Sequence, residues 1–302
     1  MTARVLARAA FASVLAAGAF PGLAHAETII ALTNDNRLLT FDSATPGTAS
    51  APFAVTGLQN NEALLDIDIR PADLQLYAVS NQGRVYRVNT TTGVATLVST
   101  LSADAGDATS PFTSLNSDTR FGIDFNPAAD RLRIVGNQGE NYRVNVDTGA
   151  TITDTNFNGA ATGAVGVGYS NNDQDSSTPT TTFYVNNLAP ASLFSSNNPN
   201  GGVLASTGPL GFAPTSNRLG FDISGSGQAF LTAVEVPTVG DINTRFYTVN
   251  STTGAATFVG IIGPIGAAAF QINGIAAAPA VPAPGALALA ALGAMLSVRR
   301  RR

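Results

Sequence analysis

Between residues 27 and 280, apolar and polar positions alternate in short bursts of four to six, and no segment has the three-and-four spacing of an amphipathic helix. The bursts repeat. "DIDIRPADLQLYAVSNQGRVYRVNTTTGVATLV" (Asp66 to Val98) aligns with "GIDFNPAADRLRIVGNQGENYRVNVDTGATIT" (Gly122 to Thr153). The two share an Asp three residues before a Pro (Asp68/Pro71, Asp124/Pro127), an "NQG" turn, a "YRVN" segment and a "TG" turn. A third copy runs from Gly220 to Gly260, a degraded one from Gly166 to Ser206, and an incomplete one from Thr28 to Ala49. Each full copy predicts four short strands, of the "GIDF", "LYAVS", "RVYRVN" and "ATLV" types. Gly83 and Gly139 sit where a tight hairpin needs φ > 0. Asn89, Asn145 and Asn250 each stand four residues before a Gly, the pattern of an Asn-initiated turn closed by a left-handed glycine.

Four-stranded units recurring at this spacing predict an all-β propeller. Aligning the first strands puts Asp68, Asp124, Gly168, Asp222 and Ala276 in register, at separations of 56, 44, 54 and 54 residues. The N-terminal copy has its later strands but lacks a first. The segment "QINGIAAAP" (Gln271 to Pro279) opens like a unit that nothing follows. Laid beside Ile29 to Thr33, residues 272–277 would complete the first blade from both ends of the chain. Closure removes an aggregation-prone sheet edge. The expectation is therefore five blades, the first closed by a C-terminal strand; an open sandwich of the same strands leaves 272–277 without a role.

The two ends read differently. Residues 1–26 carry Arg4 and Arg8, an apolar run, and Ala24-His25-Ala26, a small-x-small cleavage pattern. Cleavage after Ala26 is expected, by signal peptidase, and removes the only histidine; the chain has no cysteine. This excludes Ser-His-Asp and Cys-His catalysis, imidazole or thiolate zinc sites, and disulfide stabilisation. Residues 281–302 join a Pro-containing motif, an apolar stretch from Gly285 to Val298 and four Arg. As a helix that stretch spans about 21 Å, short of a hydrocarbon core of about 30 Å. It resembles the PEP-CTERM sorting tail of Gram-negative bacteria, although Ala283 stands where the motif has Glu. The resemblance implies removal by an exosortase after transient inner-membrane association. Export to the envelope, the cell surface or the extracellular space follows as an expectation.

The propeller region, 27–280, keeps ten of the sixteen arginines against all twenty acids. That charge disfavours nucleic acid and anionic membranes as partners and favours cations, neutral glycans or other proteins. The segment "FGIDFNPAADRLRIVGNQGENYRVNVDTG" (Phe121 to Gly149), with "LYAVSNQGRVYRVNTTTGVATLV" before it, resembles the bacterial exported family catalogued as domain of unknown function 4394. The resemblance implies a propeller-like exported domain with no assigned chemistry.

The candidate chemistry is Asp68, Asp124 and Asp222. In a propeller, first strands line the axis, so three aligned carboxylates converge where Ca2+ or Mg2+ would suit them. Alternatively, each Asp caps the turn before Pro71, Pro127 or Ser224. "DTNFNG" (Asp154 to Gly159) matches half an EF-hand loop, but Val165 holds its twelfth position, and it reads as a polar turn. "NNDQDSS" (Asn171 to Ser177) reads as a solvated acidic loop. Tyr86, Tyr142 and Tyr247 align on the third strand as inter-blade packing residues, with Arg87 and Arg143 beside them available to acids of the repeat. The long connections Ser99 to Arg120 and Thr207 to Asn217 mark one face as the expected binding face. The expected function is a non-catalytic exported propeller that binds or scaffolds an envelope or polysaccharide-matrix component. The alternatives are a metal-dependent hydrolase or lyase using the three Asp, and a self-associating matrix protein.

Overall fold

An alternating four-stranded sheet is short of apolar cover on both faces, and a ring of such sheets packed face to face supplies that cover. The structure, a computed structural model, describes residues 26–117, 119–157, 162–235, 243–263 and 271–279. All of the leader but Ala26, and the tail at 281–302, lie outside the described residues. Within them the protein is all-β: five antiparallel sheets form a five-bladed propeller, with only two single-turn 3-10 segments, Pro46–Thr48 and Pro199–Gly201.

Blade 2 is β4 (Leu64–Arg70), β5 (Gln75–Ser80), β6 (Arg84–Val88) and β7 (Ala95–Thr100). Blade 3 is β9 (Phe121–Asn126), β10 (Arg131–Gly136), β11 (Asn141–Val144) and β12 (Ala150–Thr153), with β8 (Ser102–Ala103) added in parallel at its outer edge. Blade 4 is β13 (Ala164–Tyr169), β14 (Thr182–Asn186), β15 (Ser192–Ser196) and β16 (Ala205–Pro209). Blade 5 is β17 (Leu219–Ile223), β18 (Ala229–Val234), β19 (Thr244–Val249) and β20 (Ala256–Ile261).

Blade 1 is built from both ends of the described chain, in the order β21 (Ile272–Ala277), β1 (Thr28–Thr33), β2 (Arg37–Asp42), β3 (Phe53–Ala54). Ile29 pairs with Ala277, Ala31 with Ile275 and Thr33 with Ile272, so the expected closure is present in the expected register. The inner strands β21, β4, β9, β13 and β17 pack in that order around the axis and return to β21. Apolar clusters fill the spaces between blades. Tyr77, Val79 and Val85 of blade 2 pack on Ile123, Phe125 and Leu132 of blade 3, and Phe41 of blade 1 meets the edge of Phe246 of blade 5 at 4.9 Å.

The "TG" turn has a second function that periodicity does not reveal. Gly93, Gly149 and Gly254 have φ of 72°, 78° and 79°, and each N–H bonds the carbonyl of the repeat Asn four residues earlier. A Cβ on any of them would also strike backbone of the preceding blade's outgoing chain: the carbonyl of Ala54, Thr100 or Gly208 respectively. There that chain is handed onto the next blade's outer edge, as in the bonds Thr56 N to Gly93 O and Ser102 N to Gly149 O, both 2.9 Å. The same hand-over produces β8 within a connection that reads from sequence as loop.

Gly149→Ala, which meets both the positive φ and the Thr100 carbonyl, should cost well over about 1 kcal/mol. Gly227→Ala, with φ of 84° but open space around it, should cost distinctly less. Denaturant unfolding of both variants measures the difference. Truncation before Gln271 should leave β1 unpaired on its axial side and give an aggregating protein, read by light scattering.

Candidate functional site

Each inner strand pairs with its own blade along one edge and turns the other toward the next inner strand, with no ladder between them. N–H groups on that free edge need acceptors. Aspartates of the preceding blade supply them. Asp66 accepts from Ile67 N (2.8 Å) and, across the blade boundary, Ile123 N (2.9 Å). Asp68 accepts from Ile69 N and Phe125 N, both at 2.7 Å. Asp124 Oδ1 takes Tyr169 N of blade 4 (3.2 Å), and Asp222 Oδ2 takes Ala277 N of the closing strand (2.6 Å). The carboxylates are therefore latches between blades. The reading in which they cap the following turns is corrected: after β9, for example, Asn126 does that work, accepting from Ala128 N and Ala129 N.

Asp68, Asp124 and Asp222 do converge. Each is 1% exposed, and one oxygen from each lies within 4.8 Å of the other two. Gly168 and Ala276, in register with them, complete the layer without a carboxylate. Asp124 Oδ2 and Asp222 Oδ1 are fully buried and have no donor. Burial pushes Asp68 and Asp124 well above the usual carboxylate range, and repulsion from neighbouring carboxylates adds to it. Burial also lifts Asp222, to about 6, with the N–H groups of Ala277 and Ile223 pulling the other way. A proton on Asp124 would be donated to Asp222. Sequence reasoning missed Asp66, which is equally buried and raised. It lies one inward position earlier, in register with Gly122, Gly166, Gly220 and Gly274.

The layer separates two axial mouths. At the C-terminal ends of the inner strands a recess of about 370 Å³ is lined by Ile69, Pro71, Leu74, Ala277 and Pro279, with Asn172, Asp173 and Gln174 from the "NNDQDSS" loop along its rim. Ile69 and Ala277 form its floor, and their N–H groups are the ones held by Asp68 and Asp222. At the other mouth Arg120, Asn217, Arg218 and Asn273 enclose barely enough room for one water. Arg218 donates to Asn273 Oδ1, and burial together with Arg120 lowers its pKa. The long connections reach this narrow mouth, so the larger axial recess opens on the face opposite the one expected for binding.

The profile of the family described as domain of unknown function 4394 matches residues 37–276. The chain belongs to that family. No curated protein matches this DUF4394 chain. Its fold is similar to a chain in the crystal structure of a nidogen/laminin complex, at 12% identity and TM-score 0.48, over 83% of this chain and 98% of that one. It is also similar to a putative 6-phosphogluconolactonase from Bacteroides uniformis (16%, TM-score 0.39, over 81% and 72%). YCF48 bound to D1 peptide gives 12% and TM-score 0.41, over 71% and 59%. Likeness this distant carries no ligand or activity across.

Most of the other residues singled out from the DUF4394 sequence are fasteners. Tyr86 is buried and donates to buried Glu62, which also accepts from Ser80 Oγ (2.7 Å) and Arg84 Nη1 (2.8 Å). Tyr247 stacks on Phe212 and donates to Glu235 at 2.7 Å; Tyr142 meets the edge of Phe112. Asp154 is more than a polar turn, because it takes both Arg143 (2.7 and 2.9 Å) and buried Arg133 (3.1 Å). The end of that motif, residues 158–159, is outside the described residues. Arg133 crosses to blade 4 through Tyr169 Oη (2.6 Å) and Asn200 Oδ1 (2.6 Å). Arg87 lines a shallow polar hollow on the flank of blade 2 with Asp73, Gln75 and Asn89.

An aspartate in an unfolded chain titrates near 3.9, and each axial carboxyl holds its proton more tightly when folded. Their contribution to stability is complete below that pH and is lost as pH climbs through the raised folded values, about 6 for Asp222. With chelator present, the thermal midpoint should fall as pH rises from about 4 through about 6. Asp124→Asn, which sets an amide opposite Asp222, should flatten the fall; a midpoint that rises across this window would contradict the assignment.

Proposed function

We propose that the protein is an exported, non-catalytic propeller that binds or scaffolds a component of the cell envelope or extracellular polysaccharide matrix, and that it does so at the C-terminal axial recess. The observation that carries this reading is the separation of cavity from chemistry. The recess is preformed and of ligand size, and combines an apolar floor with amide donors and acceptors at its rim. The carboxylates lie beneath that floor, each 1% exposed. Hydrolysis or elimination at Asp68, Asp124 and Asp222 requires substrate to reach them, and their burial argues against it.

The excess of acids over the propeller region, and Asp173 at the rim, favour a neutral or cationic ligand over a polyanion. Neutral saccharides fit, since pyranose rings present an apolar face and a hydroxyl edge. The test is a glycan-binding screen on the purified protein, followed by titration of any hit against Asn172→Ala and Gln174→Ala. Loss of one such hydrogen bond is worth about 1 kcal/mol, so each variant should weaken binding roughly five- to tenfold. A screen without hits, or hits indifferent to both substitutions, overturns the reading; concentration-dependent assembly in light scattering would then favour the matrix-protein alternative.

A further inference from the structure

We infer that the axial carboxylates hold one buried divalent cation of Ca2+ size, a structural ion that ties blades 2, 3 and 5 together. Three observations carry this, independently of any ligand at the recess. First, the donor set is oxygen-only and comes from three different strands, β4, β9 and β17. Second, the spacing fits. Oxygens around one divalent cation stand no further apart than twice a bond length, about 4.6–5.2 Å for Ca2+, and Mg2+, which dehydrates reluctantly, is the poorer match to a layer that excludes water. The three oxygens lie within 4.8 Å of one another. Third, Asp124 Oδ2 and Asp222 Oδ1 are completely buried acceptors without donors. A buried acceptor normally has a partner.

The already bonded oxygens do not compete. The N–H groups of Ile69, Phe125, Tyr169 and Ala277 fix each carboxylate in orientation, the supporting role that outer hydrogen bonds play around metal ligands. Among the described residues no arginine reaches the cluster: Arg70 and Arg133 spend their donors on Asp130, Asp147, Asp154, Tyr169 and the amides of Asn141 and Asn200. The floor formed by Ile69 and Ala277 covers the layer, so the ion enters as the ring closes and leaves only when it opens.

The test is metal analysis of the full chain after gel filtration, paired with thermal unfolding of protein refolded in chelator or in millimolar Ca2+. The expected result is about one Ca2+ per chain, a higher midpoint for the Ca2+-refolded protein, and retention of the ion against chelator until the protein is unfolded. Asp124→Asn and Asp222→Asn keep an acceptor for the Tyr169 and Ala277 N–H groups, and should remain folded while losing both the ion and the Ca2+ response. Asp173→Asn at the recess rim should lose neither. Wild-type protein that retains no divalent ion and melts at the same temperature in both conditions would overturn the proposal, leaving a shared proton as what satisfies Asp124 and Asp222. An ion that survives both Asn substitutions would overturn its placement. Were either variant to fail to fold, the wild-type comparison decides alone.

Discussion

The pairing of β21 with β1 is the interaction on which the remaining structure depends. Its five residue pairs, Ile29 with Ala277 through Thr33 with Ile272, convert a row of sheets into a ring. One axial latch and both mouths then draw on the same short strand. Ala277 N is the group that Asp222 holds, Ala277 and Pro279 line the wide mouth, and Asn273 takes Arg218 at the narrow one. Without it, blade 5 would face solvent where Ile275 and Ile272 now pack against Phe230 and Phe246. With no cysteine in the chain, non-covalent closure carries the load that a cross-link carries in many small secreted domains.

Polar side chains then fasten blade to blade across the boundaries that backbone ladders do not cross. Arg70 of blade 2 reaches Asp130 and Asp147 of blade 3, and Arg133 of blade 3 reaches Tyr169 and Asn200 of blade 4. Near the first boundary, Asn36 of blade 1 accepts from Leu64 N and donates to Glu62 O. Removing one partner of such a buried group costs more than the bond contributes, because the other partner is left unsatisfied. The contacts therefore fix the angle between blades more firmly than their individual strengths imply.

Much of this was legible in the repeat. Blade count, the register of Asp68, Asp124, Gly168, Asp222 and Ala276, the Asn-to-Gly turns and the terminal closure follow from the repeat, because alternation and turn chemistry are local properties; the outer strand of blade 1 lies at Phe53–Ala54, beyond the Thr28–Ala49 bounds expected for that copy. What stayed hidden is what one repeat does to the next. The carboxylates of β4 point at N–H groups of β9, more than fifty residues on; the aspartates at 66 and 68 announce their own strand and say nothing of the neighbour's edge. The strand at Ser102–Ala103 forms only because Gly149 lets it approach. Length of connection pointed to the narrow mouth, whereas the loop at Asn172 to Gln174 and the stretch up to Pro279 build the larger of the two axial hollows. One signal was available. Glycines at 122, 166, 220 and 274 fall in a single register with Asp66, and such a row marks a place where backbones nearly touch.

That row also sets how closely the five inner strands approach one another. A Cβ on Gly122 would meet Val165 O at 2.5 Å, and one on Gly166 would meet Phe221 Cβ at 2.8 Å; on Gly220 it would come within 3.0 Å of Gly274 backbone, and on Gly274 it would collide with the Asp66 carboxylate. At four of the five inner strands the hub is drawn in until nothing larger than hydrogen fits between successive spokes in this layer, and at the fifth stands the Asp66 carboxylate. Duplicating a repeat to make six would part those spokes and leave a gap that no glycine can fill, so growth of this protein by whole-unit copying requires the collar itself to be rewritten at the same time.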